Sequence, residues 1–342
     1  MQLYPLKGIF PNINEYDYTF QSNKLFKNEV HIGKQVNSKY YPYLLNQIQR
    51  NYFYQTDKER LYILKVESDE FQSIGLIAKL NINEIKNILY LHEETISIKV
   101  QNYINDLLIY NILISPVILS HNESYIIDTY LKNVIESPIS IEIKDDSSIY
   151  KIWEIHNNEL VKDLFIREVD YLFLADGHHR LEALEKSNKK FLYAYILSNK
   201  YLKSQNIYRV YENITENRIN KLIDLLVKIY NPNKSKTIYS YIENNTYSPI
   251  LTHNNDNYIF DAIKNYYDLK GFLNKVYTYL NKDLNFINYS QLPDFESHAR
   301  KLCIYIPKIE IAPLRAIGPM KFPPHSSYFD PKIPGGLLSI LL

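Results

Sequence analysis

The sequence is short of cysteine and of net charge, and each shortage removes a class of protein. Cys303 is the only cysteine among 342 residues, so the chain can form neither an intramolecular disulfide nor a multi-cysteine metal site. It lies in the apolar run KLCIYIPKIEIAPL, which predicts a core position. The 39 basic and 38 acidic residues leave a net charge of +1, which provides no overall attraction to nucleic acid or to a membrane surface.

The first residues do not have the pattern of a leader segment, and long apolar runs do not occur in the sequence. The start, MQLYPLKGIF, has no charged residues followed by a sustained apolar stretch, and no run of about 18 apolar residues occurs anywhere. We therefore expect a cytoplasmic protein that binds neither membranes nor nucleic acid. The chain is long enough for two domains or for one elaborated α/β domain.

The stretch YLFLADGHHR, Tyr171–Arg180, is the part of the sequence best suited to chemistry. Its apolar start predicts a short buried strand, and LEALEKSNKK after the turn predicts a helix. Gly177 allows a positive φ angle, and the first amides of the helix carry the positive end of its dipole. We predict an anion site, in which Arg180 binds a phosphate through two N–H groups and Asp176 holds Mg²⁺ or a hydroxyl group.

The two histidines of this turn, His178 and His179, admit other interpretations. A metal hydrolase is disfavoured because adjacent histidines point in different directions in most backbones and no HExxH spacing accompanies them. In a purely structural interpretation, Asp176 only caps the helix and both histidines lie on a solvated loop. That arrangement is less typical of a DGHHR turn directly after an apolar strand.

Hydrophobic patterning predicts mixed α and β structure along the rest of the chain. Three hairpins are predicted: Leu61–Glu67 with Ser73–Leu80, Ser115–Ser120 with Ser124–Asp128, and one within Ser248–Asp261. The last two both begin with Ser-Pro. Single strands are predicted over Ile139–Ile143, Ile149–Ile155 and Phe191–Ser198. Helices are predicted over Tyr41–Tyr52, Ile96–Leu113, Asn158–Arg167, Glu216–Ile229 and Leu269–Leu280. His121 and His253 are predicted to be turn residues of the two similar hairpins. The strand, turn and helix around Gly177, with the strand Phe191–Ser198, would form one α/β unit that places its anion site at the carboxyl end of a strand.

An acidic pair, Glu93-Glu94, precedes the helix predicted from Ile96, and Thr95 is the expected cap of that helix. Glu93 would then be positioned by backbone while remaining reachable by solvent. The simplest alternative is an acidic helix start favoured by the helix dipole.

The end of the chain, GPMKFPPHSSYFDPKIPGGLLSILL, contains five prolines and three glycines that prevent regular structure. Its aromatic residues and terminal leucines nevertheless predict that it is packed down. Such a tail could close a site, or it could only clamp the fold.

Four motifs together carry a resemblance to a known family. HEET at His92–Thr95, SPVIL at Ser115–Leu119, LADGHHRLEAL at Leu174–Leu184 and MKFPPHSSYFDPKIPGGL near the end resemble, in order and spacing, the bacterial and archaeal domain-of-unknown-function 1015 family. The part from HE to DGHHR also resembles the free L-serine kinases, which phosphorylate the hydroxyl of serine with ADP or ATP. This resemblance implies an α/β (α+β) fold with a ParB/sulfiredoxin-like mixed-sheet core over residues 1–200, elaborated by hairpins, and a C-terminal α/β extension over 201–342.

The kinase resemblance also implies roles for individual residues. Glu93 would be the catalytic base, and Asp176 would act in catalysis and bind the metal. The nucleotide would bind at Gly177, His178, His179 and Arg180, and the amino acid substrate at His92 and Thr95. The implied cofactors are ATP or ADP and Mg²⁺, the implied partner is a free amino acid, and a homodimer is considered as the assembly.

Two other activities are considered from the same relatives. A non-catalytic, nucleotide-binding ParB-like switch would use the same turn to control association. Sulfinic acid repair is disfavoured, because sulfiredoxins carry a reactive cysteine where this chain has His178. The tail departs from the wider family in having His325-Ser326-Ser327 in place of Lys-Ser-Thr, and Asp330 in place of Tyr, so a lysine charge is replaced by a mostly neutral imidazole.

Overall fold

The fold is mixed α/β, as predicted. The computed structural model describes residues 1–11, 53–144, 148–211, 214–235, 242, 247–254, 256–280, 286–289, 302–316, 318 and 320–342. The helix predicted over Tyr41–Tyr52 lies outside these residues.

The described strands are β1 (Leu3–Tyr4), β2 (Ile9–Pro11), β3 (Phe53–Gln55), β4 (Leu61–Ser68), β5 (Gln72–Asn81), β6 (Leu89–Tyr90), β7 (Ile112–Leu113), β8 (Val117–His121), β9 (Ile141–Lys144), β10 (Ser148–Ile155), β11 (Leu172–Asp176), β12 (Phe191–Ser198), β13 (Lys203–Ser204), β14 (Ile207–Tyr211), β15 (Asn233–Ser235), β16 (Ile250–His253), β17 (Asp256–Ile259), β18 (Phe286–Tyr289), β19 (Leu302–Ile306), β20 (Phe329–Asp330) and β21 (Ile340–Leu341). The described helices are α1 (Ile82–Ile85), α2 (Ser97–Tyr110), α3 (Tyr125–Ile135), α4 (Asn158–Glu168), α5 (His178–Lys186), α6 (Glu216–Tyr230), α7 (Tyr266–Leu280) and α8 (Ile311–Ala316).

A large mixed sheet holds most of the strands that precede residue 200; β2 pairs with β3, and β7 pairs with β21. Its order is β6-β11-β8-β12-β5-β4-β10-β9, and β1 pairs with β5. The pairs β6/β11 and β8/β12 are parallel, and the other neighbours are antiparallel. β12 (FLYAYILS) lies in the middle of the sheet and is buried from its second residue onward, which explains its continuous apolar sequence. β8 lies between β11 and β12 and runs antiparallel to β11, so the predicted α/β unit is not a simple parallel crossover.

A smaller antiparallel sheet holds strands from the second part of the chain. Its order is β15-β17-β16-β19-β14-β18. The hairpin predicted within Ser248–Asp261 is confirmed as β16 and β17. Cys303 lies in β19 and is buried, as predicted. The division of the chain near residue 200 remains a prediction.

The hairpin predicted over Ser115–Asp128 is wrong in its second half. Residues Tyr125–Ile135 form helix α3, and Ser124 caps it by accepting a hydrogen bond from the amide of Ile127. The β-branched residues of SYIID suggested a strand, but Ile127 and Leu131 are spaced by one helical turn and are the apolar residues buried by the helix. His121 is correspondingly not a turn residue but the buried last residue of β8.

The tail packs down on the rest of the molecule, as predicted. β21 pairs with β7, and β20 pairs with β13. Phe322, Phe329 and Leu338 are buried in the core. None of the described helices has the length and apolar character needed to cross a membrane.

Candidate active site

The turn Asp176–Arg180 joins β11 to α5, as predicted. Gly177 is the residue before the helix and has a φ angle of 101°. Residues with a side chain rarely adopt this value. A Cβ atom added there would lie 2.6 Å from Cγ1 of Val117 in β8. The turn therefore requires glycine both for its backbone conformation and for its close approach to β8.

The HEET segment lies directly beside this turn, although some eighty residues separate them in sequence. The amide of Ile96 donates a hydrogen bond of 3.0 Å to Nε2 of His179, and the hydroxyl of Thr95 donates to the Glu182 carboxylate in α5. The ring centroids of His92 and His178 are 4.6 Å apart. The structure thus brings together the two motifs singled out in the sequence.

The start of α2 differs from the prediction. Ile96, and not Thr95, precedes the first helical residue, and it provides no side-chain cap. His179 supplies the acceptor that the helix start needs, while the hydroxyl of Thr95 is directed to α5. Thr95 consequently links the two motifs.

Glu93 is buried, contrary to the expectation that solvent reaches it. Its Oε1 atom accepts hydrogen bonds from the amide of Ser327 at 2.6 Å and from the hydroxyl of Ser327 at 2.5 Å, and Oε2 accepts one from the amide of His325 at 3.1 Å. Burial raises the pKa of Glu93 to about 7, and the hydrogen bonds from Ser327 offset only part of that effect.

The tail is fixed against the HEET segment by its backbone as well. Phe322 donates its amide to the carbonyl of His92 at 2.7 Å and accepts from the amide of Glu94 at 2.8 Å. This short parallel bridge sets the position of the three residues that follow two prolines, His325-Ser326-Ser327. The tail is therefore a third component of the site, as the sequence allowed.

Asp176 is held between two cations. Its Oδ2 atom lies 2.5 Å from Nη2 of Arg180, and its Oδ1 atom lies 2.6 Å from Nζ of Lys332 in the tail. Desolvation acts to raise the pKa of Asp176, but Lys332 and Arg180 outweigh it and hold that pKa below its ordinary value. The carboxylate is therefore ionised at neutral pH, with a cation paired to each of its oxygens.

Arg180 contacts protein groups on two sides. Its Nη1 atom donates to the carbonyls of Ser115 and Pro116 and to the hydroxyl of Ser115, at distances of 2.6 to 3.0 Å. The guanidinium thereby fixes the SPV segment against the DGHHR turn. The contact explains why these two motifs occur together, a connection that their sequences did not suggest.

The histidines of the site are neutral at physiological pH. Burial lowers the pKa of His92 to about 3 and that of His179 to about 4, and burial together with the nearby His92 lowers the pKa of His178 well below its usual value. Nε2 of His178 is buried and has no hydrogen-bond partner among the described residues. A bound group with a lone pair would satisfy it in its protonated tautomer.

The structure also brings into the site residues that were not predicted to belong to it. Lys332 contacts Asp176, Ser327 contacts Glu93, and Ser115 contacts Arg180. Nζ of Lys99 lies 3.0 Å from Nε2 of His325. Ser115, Ser327 and Lys332 lie in motifs singled out above, but no local pattern predicts these contacts. Only the proline-rich, aromatic tail gave a signal that this part of the chain is packed against something.

The site does not form a metal cage by itself. Within the described ranges no group of three His, Cys, Asp or Glu side chains is placed to hold a metal ion. Asp176 is the carboxylate at the turn, and each of its oxygens keeps a second lone pair beyond its ion pair. A single protein carboxylate is suited to a metal ion that is bound mainly by the phosphate oxygens of a ligand, as is usual for Mg²⁺.

Comparisons with known proteins identify a family. The model of the family described as Protein of unknown function (DUF1015) matches residues 27–265. A search of curated proteins found no match. Similar solved structures include a conserved hypothetical protein from Pyrococcus furiosus, with a TM-score of 0.47, 14% identity and coverage of 76% of this chain and 93% of that one.

Two further solved structures are similar at the same level. SbnI with a C-terminal truncation, from Staphylococcus aureus, has a TM-score of 0.45 and 9% identity, over 74% of this chain and 82% of that one. A free serine kinase in complex with AMP has a TM-score of 0.47 and 12% identity, over 76% of this chain and 92% of that one. Similarity at this level does not define the chemistry of the site, which has to be argued from its own residues.

Proposed function

The chain belongs to the DUF1015 family, and from that premise we propose that it is a cytoplasmic kinase that phosphorylates the hydroxyl group of free L-serine. The phosphoryl donor in this proposal is ATP or ADP, with Mg²⁺. The observation that carries the proposal is a buried carboxylate with a raised pKa beside a positively charged helix start. Oε1 of Glu93 lies 3.8 Å from Nε2 of His92, whose ring contacts that of His178 at the start of α5.

The donor phosphates would bind at the DGHHR turn. The free amides at the start of α5, with Gly177 allowing close approach, favour an anion there. Arg180 and Lys332 supply positive charge, and Nε2 of His178, which has no partner in the described part of the chain, would supply a hydrogen bond. Mg²⁺ bound with the nucleotide would neutralise phosphate charge, with Asp176 as its protein ligand.

The acceptor would bind near His92 and Thr95. Glu93 would accept the proton of the acceptor hydroxyl as its oxygen forms a bond to phosphorus, and the bond from phosphorus to the nucleotide would break. ATP would yield ADP, or ADP would yield AMP. Since phosphoryl transfer needs positioning and charge neutralisation more than proton abstraction, a carboxylate with a pKa of about 7 is a suitable base.

The test is the formation of O-phospho-L-serine. Purified protein with Mg²⁺, free serine and either ATP or ADP should produce it, as detected by mass spectrometry. Glu93→Gln should lower turnover by about 10²-fold or more while leaving nucleotide affinity intact. Glu94→Gln is the matched control, since Glu94 is the adjacent, exposed acid. A failure with serine and with a panel of other hydroxy-amino acids would reject the proposal.

One observation favours a second candidate, a non-catalytic nucleotide-binding switch. Both oxygens of Glu93 are engaged by the tail, so the carboxylate is not directed at an open acceptor position. In this case calorimetry should show nucleotide binding without consumption. The oligomeric mass should also change with nucleotide, for example between monomer and homodimer.

A further inference from the structure

The tail places a serine hydroxyl against the proposed catalytic base. The hydroxyl of Ser327 donates to Oε1 of Glu93 at 2.5 Å, and Nε2 of His92 lies 2.7 Å from the hydroxyl oxygen of Ser327. When the hydroxyl hydrogen is directed to an ionised Glu93, Nε2 of His92 acts as the donor to the Ser327 oxygen. One lone pair of the Ser327 oxygen then stays available.

This arrangement is what a hydroxyl needs to act as a phosphoryl acceptor. The proton is already directed to a carboxylate with a raised pKa, and the oxygen is held by a neutral imidazole. The His92 ring that contacts Ser327 also contacts His178 at the turn where donor phosphates are proposed to bind. Ser327 is partly exposed, in contrast to the buried Ser326 that precedes it.

We propose that Ser327 is a site of autophosphorylation, in which the chain transfers a phosphoryl group from a bound nucleoside triphosphate or diphosphate to its own tail. The inference rests on the proposed kinase function. The Ser327 oxygen forms a bond to the terminal phosphorus, its proton passes to Glu93, and the bond between that phosphorus and the nucleotide breaks. The products are phosphoserine at 327 and the nucleotide shortened by one phosphate.

Phosphorylation would change how the tail is held. The hydrogen bond from the hydroxyl to Glu93 is lost, and a phosphate with a charge of about −1.5 to −2 at neutral pH lies beside a carboxylate. Both effects weaken the contact of Ser327 with Glu93. Release of the tail would leave Oε1 of Glu93 open to the hydroxyl of a free amino acid.

The neighbouring serine provides a matched control. Ser326 is fully buried, and its hydroxyl donates to the carbonyl of Pro323 at 2.7 Å, away from Glu93. Both serines lie in one tryptic peptide, residues 322–332, because trypsin cleaves after Lys321 and after Lys332. Fragmentation of this peptide in a mass spectrometer separates the two positions.

The experiment incubates the full chain with Mg²⁺ and ATP or ADP, without any amino acid, and maps phosphate in peptide 322–332. We expect label on Ser327 that is lost in Ser327→Ala and reduced by about a hundredfold or more in rate in Glu93→Gln. Ser326→Ala should keep the label. Ser327→Thr retains a hydroxyl and should carry phosphate on the new threonine, which tests the site in a chain that remains able to fold.

The same reaction with free serine added separates this inference from the proposed function. Phosphoserine in solution with an unlabelled peptide would overturn the inference and leave the kinase standing. Label on Ser327 without phosphoserine in solution would support the inference and reject free serine as the acceptor. Label on Ser326 in place of Ser327, or no transfer of any kind, would overturn it.

Discussion

Glu93 combines burial with three hydrogen bonds from the tail, and its ionisation should control the reaction rate. Because burial raises its pKa to about 7, the base is active only when the pH is above that value. We expect kcat/KM to rise with pH through about 7 and then to level off. A pH–rate profile measures this. Nucleotide affinity should stay flat from about pH 6 to 8, since His178 and His179 are already neutral there.

The same ionisation should make the free energy of unfolding fall as pH rises. An ordinary ion-paired carboxylate, whose pKa is lowered by folding, has the opposite effect. An unfolded glutamate has a pKa of about 4.3, below that of Glu93 in the folded chain. The native state therefore binds the proton more tightly, and its stability falls as pH rises from about 4 to about 7. The free energy of unfolding of the wild type, relative to that of Glu93→Gln, should decline across this interval in urea titrations. A constant difference would contradict the raised pKa.

Gly177 is the second residue whose replacement gives a clear expectation. A methyl group there would require a strained backbone at φ 101° and would contact Val117. We expect Gly177→Ala to lower the free energy of unfolding by about 1–3 kcal/mol and to weaken nucleotide binding. Gly271→Ala is the control, because Gly271 lies inside α7 with open space around it. Its replacement should stabilise the chain by about 0.5–1 kcal/mol, as measured by denaturant unfolding.

At the scale of elements, the tail is bound to the HEET segment through Phe322. Its side chain is fully buried, and its backbone is bonded to His92 and Glu94. Phe322→Ala should cost about 3–5 kcal/mol, because it leaves a cavity in the core. Leu108→Ala, at a position 69% exposed on α2, should change stability by less than about 0.5 kcal/mol. Equal effects in chemical denaturation would show that the tail is not anchored in this way.

Most elements could be predicted from local patterns. The hairpin of β4 and β5, strands β9 and β10, and helices α4, α6 and α7 follow their hydrophobic periodicity. One exception is α3, where a serine cap and the one-turn spacing of Ile127 and Leu131 decide in favour of a helix despite many β-branched residues. Another is Ile112–Leu113, predicted as the end of the helix from Ile96 but found as strand β7 after Asn111 ends α2 at a positive φ angle. Local propensity is a weak guide when the buried face determines the outcome.

The site was predictable only in part, for a related reason. DGHHR carries its own signal, because a glycine, a helix start and cationic groups occur within five residues. The partners of Glu93 and Asp176 lie far along the chain, at Ser327 and Lys332. A contact across 150 or more residues depends on the assembled fold, and no spacing in a single sequence encodes it.

At the scale of the whole molecule, the two sheets share one apolar core. Buried residues of the large sheet, such as Leu76, belong to the same connected cluster as Leu251 and Ile304 of the smaller sheet. We therefore expect a single cooperative unfolding transition. The fluorescence of Trp153, buried in β10, and far-ultraviolet circular dichroism should give the same midpoint. Two separate transitions would instead support independent domains divided near residue 200.

The burial of Cys303 has a practical consequence for following the tail. Burial raises the pKa of this thiol to about 12, so almost no thiolate is present at neutral pH, and it is the thiolate that reacts with maleimides and similar reagents. The native chain thus offers such reagents no accessible competitor. A single cysteine introduced at the exposed position Lys321 would carry one fluorophore at the entrance to the tail. Its emission would report attachment and release of the tail in real time.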